Sequence, residues 1–504
     1  MNKKIFWVLI VLTALFVRTY DLQNLPYGPH FSESTIGWRA QNILNYGKDE
    51  FGRILPLTFS NWQKVELPIP TYIATPFIFI DKTNPFFLRL PFALLGTLSI
   101  IAAMLLAKKL FPDKKHIDLY TGVILALSPG LIGVSRTTSP ELVFFTLTLL
   151  GLLLIENKGR LRHFGAGLFF LSFFTSEIAY FILPGLLLTL SFLGVKKNDI
   201  LIAAAGFPIS LLLLLTAPGG IENLIVNNFS ILRDRGILDD VNKVRGEELK
   251  HGSSVFAKIF FNKLFYIVRV AENFLSHLNP SYIFARGDTN PLNGNSNFGP
   301  MLFATLPVFI VGLFRIPKNR HFAWLCLIFV LSCSTSLFML SGPHTNRFLL
   351  ALFPLGLVVA YGIASIQKKF VTLSLCVILL NFSIVAYDTI VKENERSKKT
   401  WNKDTYELAL KLKDGYTDKK IWITDKIDPN PGPTIAYLTE TGYMDTNLGQ
   451  EEQSHRAWVS KIKNISIGNI KGNSESAQYL DLILISKEDI SEVKDEKIFN
   501  CRWD

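Results

Sequence analysis

The sequence predicts an all-α polytopic membrane protein with about eleven transmembrane helices and a small α/β domain at its C-terminal end. Three observations predict this. The chain holds about eleven apolar stretches, each long enough to cross a hydrocarbon layer of about 30 Å. Lys and Arg gather at every second junction between those stretches. After residue 388 the apolar pattern stops, and short strand and helix signals alternate with turns.

The first stretch, residues 5–17, follows Met1-Asn2-Lys3-Lys4 and lacks a small-x-small cleavage site before Arg18, so it reads as a retained signal anchor. The spans are expected over residues 5–20, 87–107, 118–134, 141–156, 162–176, 177–194, 199–217, 299–315, 322–340, 347–366 and 370–388. Residues 162–194 form one nearly continuous apolar run. They divide into two spans only at Thr175, Ser176 and Glu177.

One set of junctions holds Lys3 and Lys4, then Lys108, Lys109, Lys114 and Lys115, then Lys158, Arg160 and Arg162. It continues through Lys196 and Lys197, Arg315, Lys318 and Arg320, and Lys368 and Lys369. Short loops that retain excess Lys and Arg face the cytoplasm. The N-terminus is therefore expected inside, and the other junctions and the tail outside, in what reads as the plasma membrane. The outward loops at 20–85 and 218–298 are long, polar and aromatic, so chemistry is expected on that side. Within the second, residues 255–278 read as a helix in the interface plane or against the bundle.

The expected domains are residues 1–388, a membrane domain that includes the two large loops, and residues 389–504, a soluble extracytoplasmic domain. The latter opens with a charged helix around 402–413. A strand follows at 421–424, then a Pro and Gly turn at 428–433, a further helical stretch, and a second strand at 480–485.

Composition agrees. Of 504 residues 49% are hydrophobic, and mean hydropathy is +0.29. The net charge of +11 invites a nucleic-acid reading. Its distribution argues otherwise: residues 389–504 hold 18 Lys and Arg against 20 Asp and Glu, so the membrane part carries the excess. The basicity is topology and contact with anionic lipid, not a nucleic-acid footprint. Three of the four cysteines lie in apolar runs, and the fourth is Cys501, so no disulfide framework can form outside. No His or Cys cluster has metal-ligand spacing, and no Gly-rich phosphate loop is present. Asn228-Phe229-Ser230 and Asn464-Ile465-Ser466 match the short glycosylation pattern.

Ionisable residues near membrane depth are costly and mark function. Here Arg18, Glu33, Arg89, Arg136, Glu141, Glu177, His344 and Arg347 share one level, at the outward helix ends, while the span centres are free of charge. A transporter would place such groups near the midplane. The pattern favours a site at the outer surface.

The residues around that level form a recognisable series. Pro29-His30-Phe31-Ser32-Glu33-Ser34-Thr35-Ile36-Gly37 is followed by Asn45-Tyr46-Gly47-Lys48-Asp49-Glu50-Phe51-Gly52-Arg53, then Pro68-Ile69-Pro70-Thr71-Tyr72 and Arg89-Leu90-Pro91. Ser128-Pro129, Ser135-Arg136, Phe284-Ala285-Arg286-Gly287-Asp288 and His344-Thr345-Asn346-Arg347 come later. In order and spacing this series resembles the GT-C superfamily of membrane glycosyltransferases, in the branch of protein O-mannosyltransferases and lipid A aminoarabinose transferases.

The resemblance implies a GT-C fold and transfer of a sugar from a polyprenyl-phosphate donor to an acceptor that is a protein, a lipid or a glycan. Such transfer needs a group to take the acceptor proton and cations to hold the departing phosphate. The family meets the first need with an Asp-Glu pair, whose positions are Ser32 and Glu33 here, so Glu33 is the expected base, with Asp49 or Glu50 as substitutes. For the phosphate, Arg347 offers a planar fork, and His344 and Arg136 adjoin it in the pattern. Where the family has Lys this chain has Glu66, with Lys64 two residues earlier. Two other readings stay open: a degenerate relative that binds a polyprenyl lipid without catalysis, and a lipid transporter or flippase.

Overall fold

The structure is a computed structural model. It describes residues 3–60, 65–192, 194–232, 235–250, 255, 265–288, 290, 292, 297–339, 342–392, 401, 403–415, 420–423, 431–448, 459–467, 482–485 and 498–500. Lys64, Cys501 and most of the 255–264 stretch lie outside these residues. The chain divides into two compact units.

Unit one comprises Met1–Arg18, Leu94–Ser135 and Ser139–Tyr387, and it holds the apolar helices. These begin with α1 (Lys3–Thr19), with α2 (Phe31–Tyr46) and α3 (Ile69–Ala74) intervening in the chain before α4 (Pro85–Leu110). Then follow α5 (Ile117–Ala126), α6 (Pro129–Ser135), α7 (Pro140–Ile155), α8 (Arg160–Ser172), α9 (Ala179–Phe192) and α10 (Lys197–Thr216). The last are Leu306–Arg315, Arg320–Ser334, Thr345–Ile363 and Lys368–Tyr387. Each expected span meets one of these helices. Among the described residues four are long and apolar enough to cross a membrane by themselves, and a fifth if the bent pair α5 and α6 counts as one. The protein is a multi-pass membrane protein, and several of the remaining apolar helices, α8, α9, Leu306–Arg315 and Arg320–Ser334, are shorter than the stretches that predicted them.

Local chemistry explains the breaks. Pro129 opens α6, and the chain bends 61° between α5 and α6. The bend leaves the last carbonyls of α5 without their regular i+4 partners. Arg18 supplies them: Nη1 donates to Ala126 O at 3.3 Å and Nη2 to Leu125 O at 3.4 Å. The long apolar run at 162–194 is two helices, with Thr175, Ser176 and Glu177 in the turn between α8 and α9. Two helices approach closely at Gly312 and Gly362, where an added Cβ would collide with the carbonyl oxygens of Val358 and Val308 respectively. Such small-residue contacts let membrane helices pack backbone to backbone. Thr345–Ile363 is almost wholly buried, whereas Lys368–Lys392 is almost wholly exposed, as a lipid-facing helix is.

Unit two comprises Thr19–Ala93, Arg136–Thr138 and Asp388–Asp504. The first long loop and the C-terminal segment thus form one unit, a grouping that the sequence division at residue 388 does not anticipate. Its hub is α2, whose residues 33–43 are all buried. Because α2 is enclosed on every side, its polar side chains must find partners. Trp38 Nε1 donates to Thr441 O at 2.8 Å, Gln41 Nε2 to Tyr437 O at 2.9 Å and to Lys82 O at 2.8 Å, and Asn42 Oδ1 accepts from Tyr443 N at 3.0 Å.

The loop also contains a two-stranded antiparallel ribbon of β1 (Phe59–Ser60) and β2 (Val65–Glu66). The C-terminal segment forms helices Lys403–Gly415 and Gly432–Leu438, with β3 (Ile421–Ile423), β4 (Thr446–Leu448), β5 (Val459–Ile462), β6 (Ile465–Ile467), β7 (Leu482–Ile485) and β8 (Ile498–Asn500). The sheet order is β4-β5-β6-β3-β7-β8. β3 pairs in parallel with β6 and β7, Ile421 facing Ile465 and Leu482. The two strands read from the sequence are therefore neighbours, and Ile421, Trp422 and Ile423 are buried at the sheet centre.

Candidate functional site

Each unit holds its own network of buried ionisable side chains. In unit two the network starts where α2 begins. Ser32 N donates to His30 Nδ1 at 3.3 Å, and His30 N donates to Glu33 Oε2 at 3.1 Å. This is a capping box with His in the place usually taken by Ser or Thr.

Glu33 is 2% exposed. Its Oε1 accepts from Arg89 Nε at 3.1 Å and from Thr138 N at 3.1 Å, and its Oε2 also accepts from Arg89 Nη2 at 2.8 Å. A carboxylate offers about four lone-pair sites, and Glu33 uses them on Arg89 twice, Thr138 and His30. The expectation that Glu33 takes the acceptor proton meets a carboxylate already satisfied and closed to solvent.

Arg89 holds the preceding segment in place. Nη1 donates to Leu22 O at 3.1 Å and Pro26 O at 2.9 Å, and Nη2 to Gly28 O. Gly28 has φ +66°, and a Cβ there would lie 2.7 Å from the Tyr406 ring, so the residue answers both to backbone and to space. Arg136 is committed in the same way: Nη2 donates to Tyr20 O at 2.7 Å and Leu25 O at 2.8 Å. Burial, with the Arg89 charge nearby, lowers its guanidinium to about 10. It serves loop carbonyls here rather than an open phosphate site.

Asp49 and Glu50 are likewise committed. Asp49 Oδ1 accepts from Phe51 N at 3.0 Å and Arg53 N at 2.8 Å, and Oδ2 from Arg53 Nε at 2.6 Å. Glu50 Oε1 accepts from Arg39 Nε at 2.8 Å, and Arg39 Nη1 donates to Glu66 Oε2 at 2.5 Å. The first carboxylate shapes a turn, and the second neutralises a buried guanidinium. Neither is poised to replace Glu33 as a base. Glu66, which departs from the family pattern, proves to be the second partner of Arg39. Sequence reasoning missed Arg39 altogether; its signal was a cation inside a helix whose polar residues fall on every side instead of forming one face.

In unit one Arg347 is half-buried at the start of Thr345–Ile363, and Nη1 donates to Asn228 Oδ1 at 2.9 Å and Thr335 O at 3.0 Å. Asn228 Nδ2 donates in turn to Glu177 Oε2 at 2.6 Å. Asn228 is thus a buried link between a cation and a carboxylate, which rules out the glycosylation reading of Asn228-Phe229-Ser230. Glu141 lies beside this chain of contacts, accepting from Ser139 Oγ at 2.9 Å and Ser176 Oγ at 3.2 Å. His344 has Nδ1 3.7 Å from Asp288 Oδ2, and the same oxygen accepts from Thr345 N at 2.9 Å. Segments 284–288 and 344–347, far apart in sequence, therefore meet. Among the described residues no group of three or more His, Cys, Asp or Glu is arranged to hold a metal ion.

No protein-family model matches the sequence, and no curated protein does. Among solved structures, the apo crystal structure of ArnT from Cupriavidus metallidurans aligns with a TM-score of 0.50 and 12% identity, over 90% of this chain and 87% of that one. ArnT bound to undecaprenyl phosphate aligns at 0.49 with 11% identity, over 90% of this chain and 87% of that one. The Archaeoglobus fulgidus oligosaccharyltransferase in complex with zinc and sulfate aligns at 0.48 with 14% identity, over 86% of this chain and 61% of that one. The likeness to apo ArnT shows that the chain shares the fold of that protein.

Proposed function

We propose that the protein is an integral membrane glycosyltransferase that moves a sugar from a polyprenyl-phosphate donor to an acceptor on the outer face of the plasma membrane. The observation that supports this best is convergence within unit two. The first-loop carboxylate Glu33, the Arg89-Leu90-Pro91 motif and the segment after Ser135-Arg136 carry the family resemblance from three separate stretches, and they close on one another through Glu33. Chance matches scattered along a sequence have no reason to meet. The fold likeness is consistent with the same reading.

In this reading the sugar–phosphate bond breaks as the acceptor oxygen attacks the anomeric carbon, and charge grows on the departing lipid phosphate. A preorganised cation stabilises that charge more in the transition state than in the ground state. Arg347 fits the need: its guanidinium is oriented by Asn228 and the Thr335 carbonyl, and the residue is half-buried. His344, tied to Asp288, is the second cationic candidate. Glu33 and Arg89 hold the first-loop helix in position, and the C-terminal segment, an α/β unit with that loop, guides the acceptor. The N-terminus is cytoplasmic and the C-terminal segment outside.

The test is incubation of purified protein with radiolabelled polyprenyl-phosphate sugars and envelope extract. Label moved to an acceptor with release of polyprenyl phosphate is the expected result. Donor binding without transfer would convert the protein into a lipid-binding relative of the fold, and absence of both would end the proposal.

A further inference from the structure

The transfer needs a group to take the acceptor proton, and the carboxylates expected for that task are occupied. Glu33 has four donors on its two oxygens, and Asp49 and Glu50 hold a turn and a buried guanidinium. Beside Glu33, however, stands a pair whose structural task, capping α2, leaves the Ser32 hydroxyl exposed. Ser32 is exposed, and its Oγ lies 3.0 Å from His30 Nδ1.

The tautomer of His30 follows from its neighbour. Ser32 N carries an obligatory proton and points at Nδ1. That ring nitrogen must therefore accept, and the ring proton sits on Nε2. Nδ1 then has only a lone pair to offer Ser32 Oγ, so the hydroxyl donates. A hydroxyl that donates to an imidazole lone pair, on a helix terminus open to solvent, is a hydroxyl–base pair.

We propose that His30 is the proton acceptor of the transfer, reached through the Ser32 hydroxyl. This rests on the glycosyltransferase reading above. As the acceptor O–H attacks, its oxygen forms the new bond to the anomeric carbon, and its proton passes to Ser32 Oγ while the Ser32 proton passes to His30 Nδ1. The anomeric carbon–oxygen bond to the lipid phosphate breaks, and the phosphate leaves with that electron pair. His30 ends as imidazolium and returns its proton to water.

The surroundings keep His30 neutral before the step. Burial lowers its imidazole from the ordinary 6.5, against a smaller opposite pull from Glu33. Arg89 has its guanidinium 5.8 Å from the centre of Trp401, the ring that packs edge-on against His30. From helix Lys403–Gly415, Lys403 and Glu407 pair with each other and contact Tyr27. Neutral His30 is therefore the working form, and turnover falls as pH drops through a value below 6.5.

His30 also caps α2, so removing it outright would confuse folding with chemistry. His30→Asn separates them, because the Asn carbonyl accepts from Ser32 N but does not titrate. The expected results are a loss of roughly 10² to 10⁴ in turnover for His30→Asn, disappearance of the acidic limb of its pH profile, and unchanged binding of the polyprenyl-phosphate sugar. Ser32→Ala should lose turnover with His30 intact, and Ser32→Thr should recover it relative to Ser32→Ala. If His30→Asn and Ser32→Ala turn over like the wild type with the same pH profile, the proposal is overturned while the glycosyltransferase reading stands. If the wild type transfers no sugar, both fall together.

Discussion

The Arg39 guanidinium and the Glu50 carboxylate pair at 2.7 Å with neither side chain exposed to solvent. Removing one partner of such a pair strands a buried charge, at a cost of about 3 to 5 kcal/mol. Arg39→Leu and Glu50→Leu should each therefore lower the melting temperature of the detergent-solubilised protein strongly. The double variant should be less damaged than the two losses added, because Glu66 is 15% exposed at its side chain and can be hydrated once Arg39 is gone. Additive losses in a thermal melt would show that the pair is not coupled.

For Glu33 the structure turns an expected kinetic effect into a folding effect. Glu33→Gln leaves Arg89 buried without its counter-charge, so the yield of folded protein and its melting temperature should fall, by about 3 to 5 kcal/mol of stability. Turnover per folded molecule should change much less. A Glu33→Gln protein of wild-type stability that has lost 10² or more in turnover would restore the base to Glu33.

Arg347→Ala should weaken binding of a polyprenyl-phosphate sugar by about 1.5 to 3 kcal/mol, the worth of a hydrogen bond to a charged group. Arg347→Lys should rescue it only in part, since an ammonium lacks the planar fork. Asn228→Ala should act in the same direction but more weakly, because it frees the guanidinium that Asn228 orients. Direct binding of labelled donor in detergent reads all three, and unchanged affinity in Arg347→Ala would make that residue a helix-end anchor.

Orientation is open to cysteine labelling in intact cells. Met444 is 68% exposed in unit two, so Met444→Cys should react with a membrane-impermeant maleimide from outside. Lys197→Cys, at the start of α10 on a positively charged junction, should not react until the membrane is permeabilised. The reverse pattern would invert the assignment.

What the sequence made legible was what depends on local pattern. Apolar length and alternating Lys and Arg marked the helices, and Thr175, Ser176 and Glu177 marked the turn between α8 and α9, whereas the 61° bend at Pro129 falls inside a span expected to run unbroken over 118–134. The strand at Ile421 announced itself by its β-branched and aromatic run. What stayed hidden was pairing. Nothing local says that Arg39 chooses Glu50 and Glu66, so Glu66 read as a missing Lys instead of as a counter-charge. Asn228 read as a glycosylation pattern because its partners, Glu177 and Arg347, lie 51 and 119 residues away. The same holds for Glu33, recognisable as a special carboxylate from its motif, whose four donors come from three parts of the chain.

The hydrogen bonds that enclose α2 also fix an order of assembly. Trp38 is bonded to a carbonyl 403 residues downstream, and Asn42 to a backbone amide 401 residues downstream. During synthesis the first long loop is made early, yet its helix meets those partners only after every later apolar helix has left the ribosome. Until then Trp38, Gln41 and Asn42 must be satisfied by water or by other proteins. Closing so long a loop is slow compared with forming local helices. Synthesis of the segment that holds Thr441 and Tyr443, rather than insertion of the helices, is therefore the step on which this half of the molecule waits, and a chain interrupted before it should keep inserted helices and an unfinished first loop.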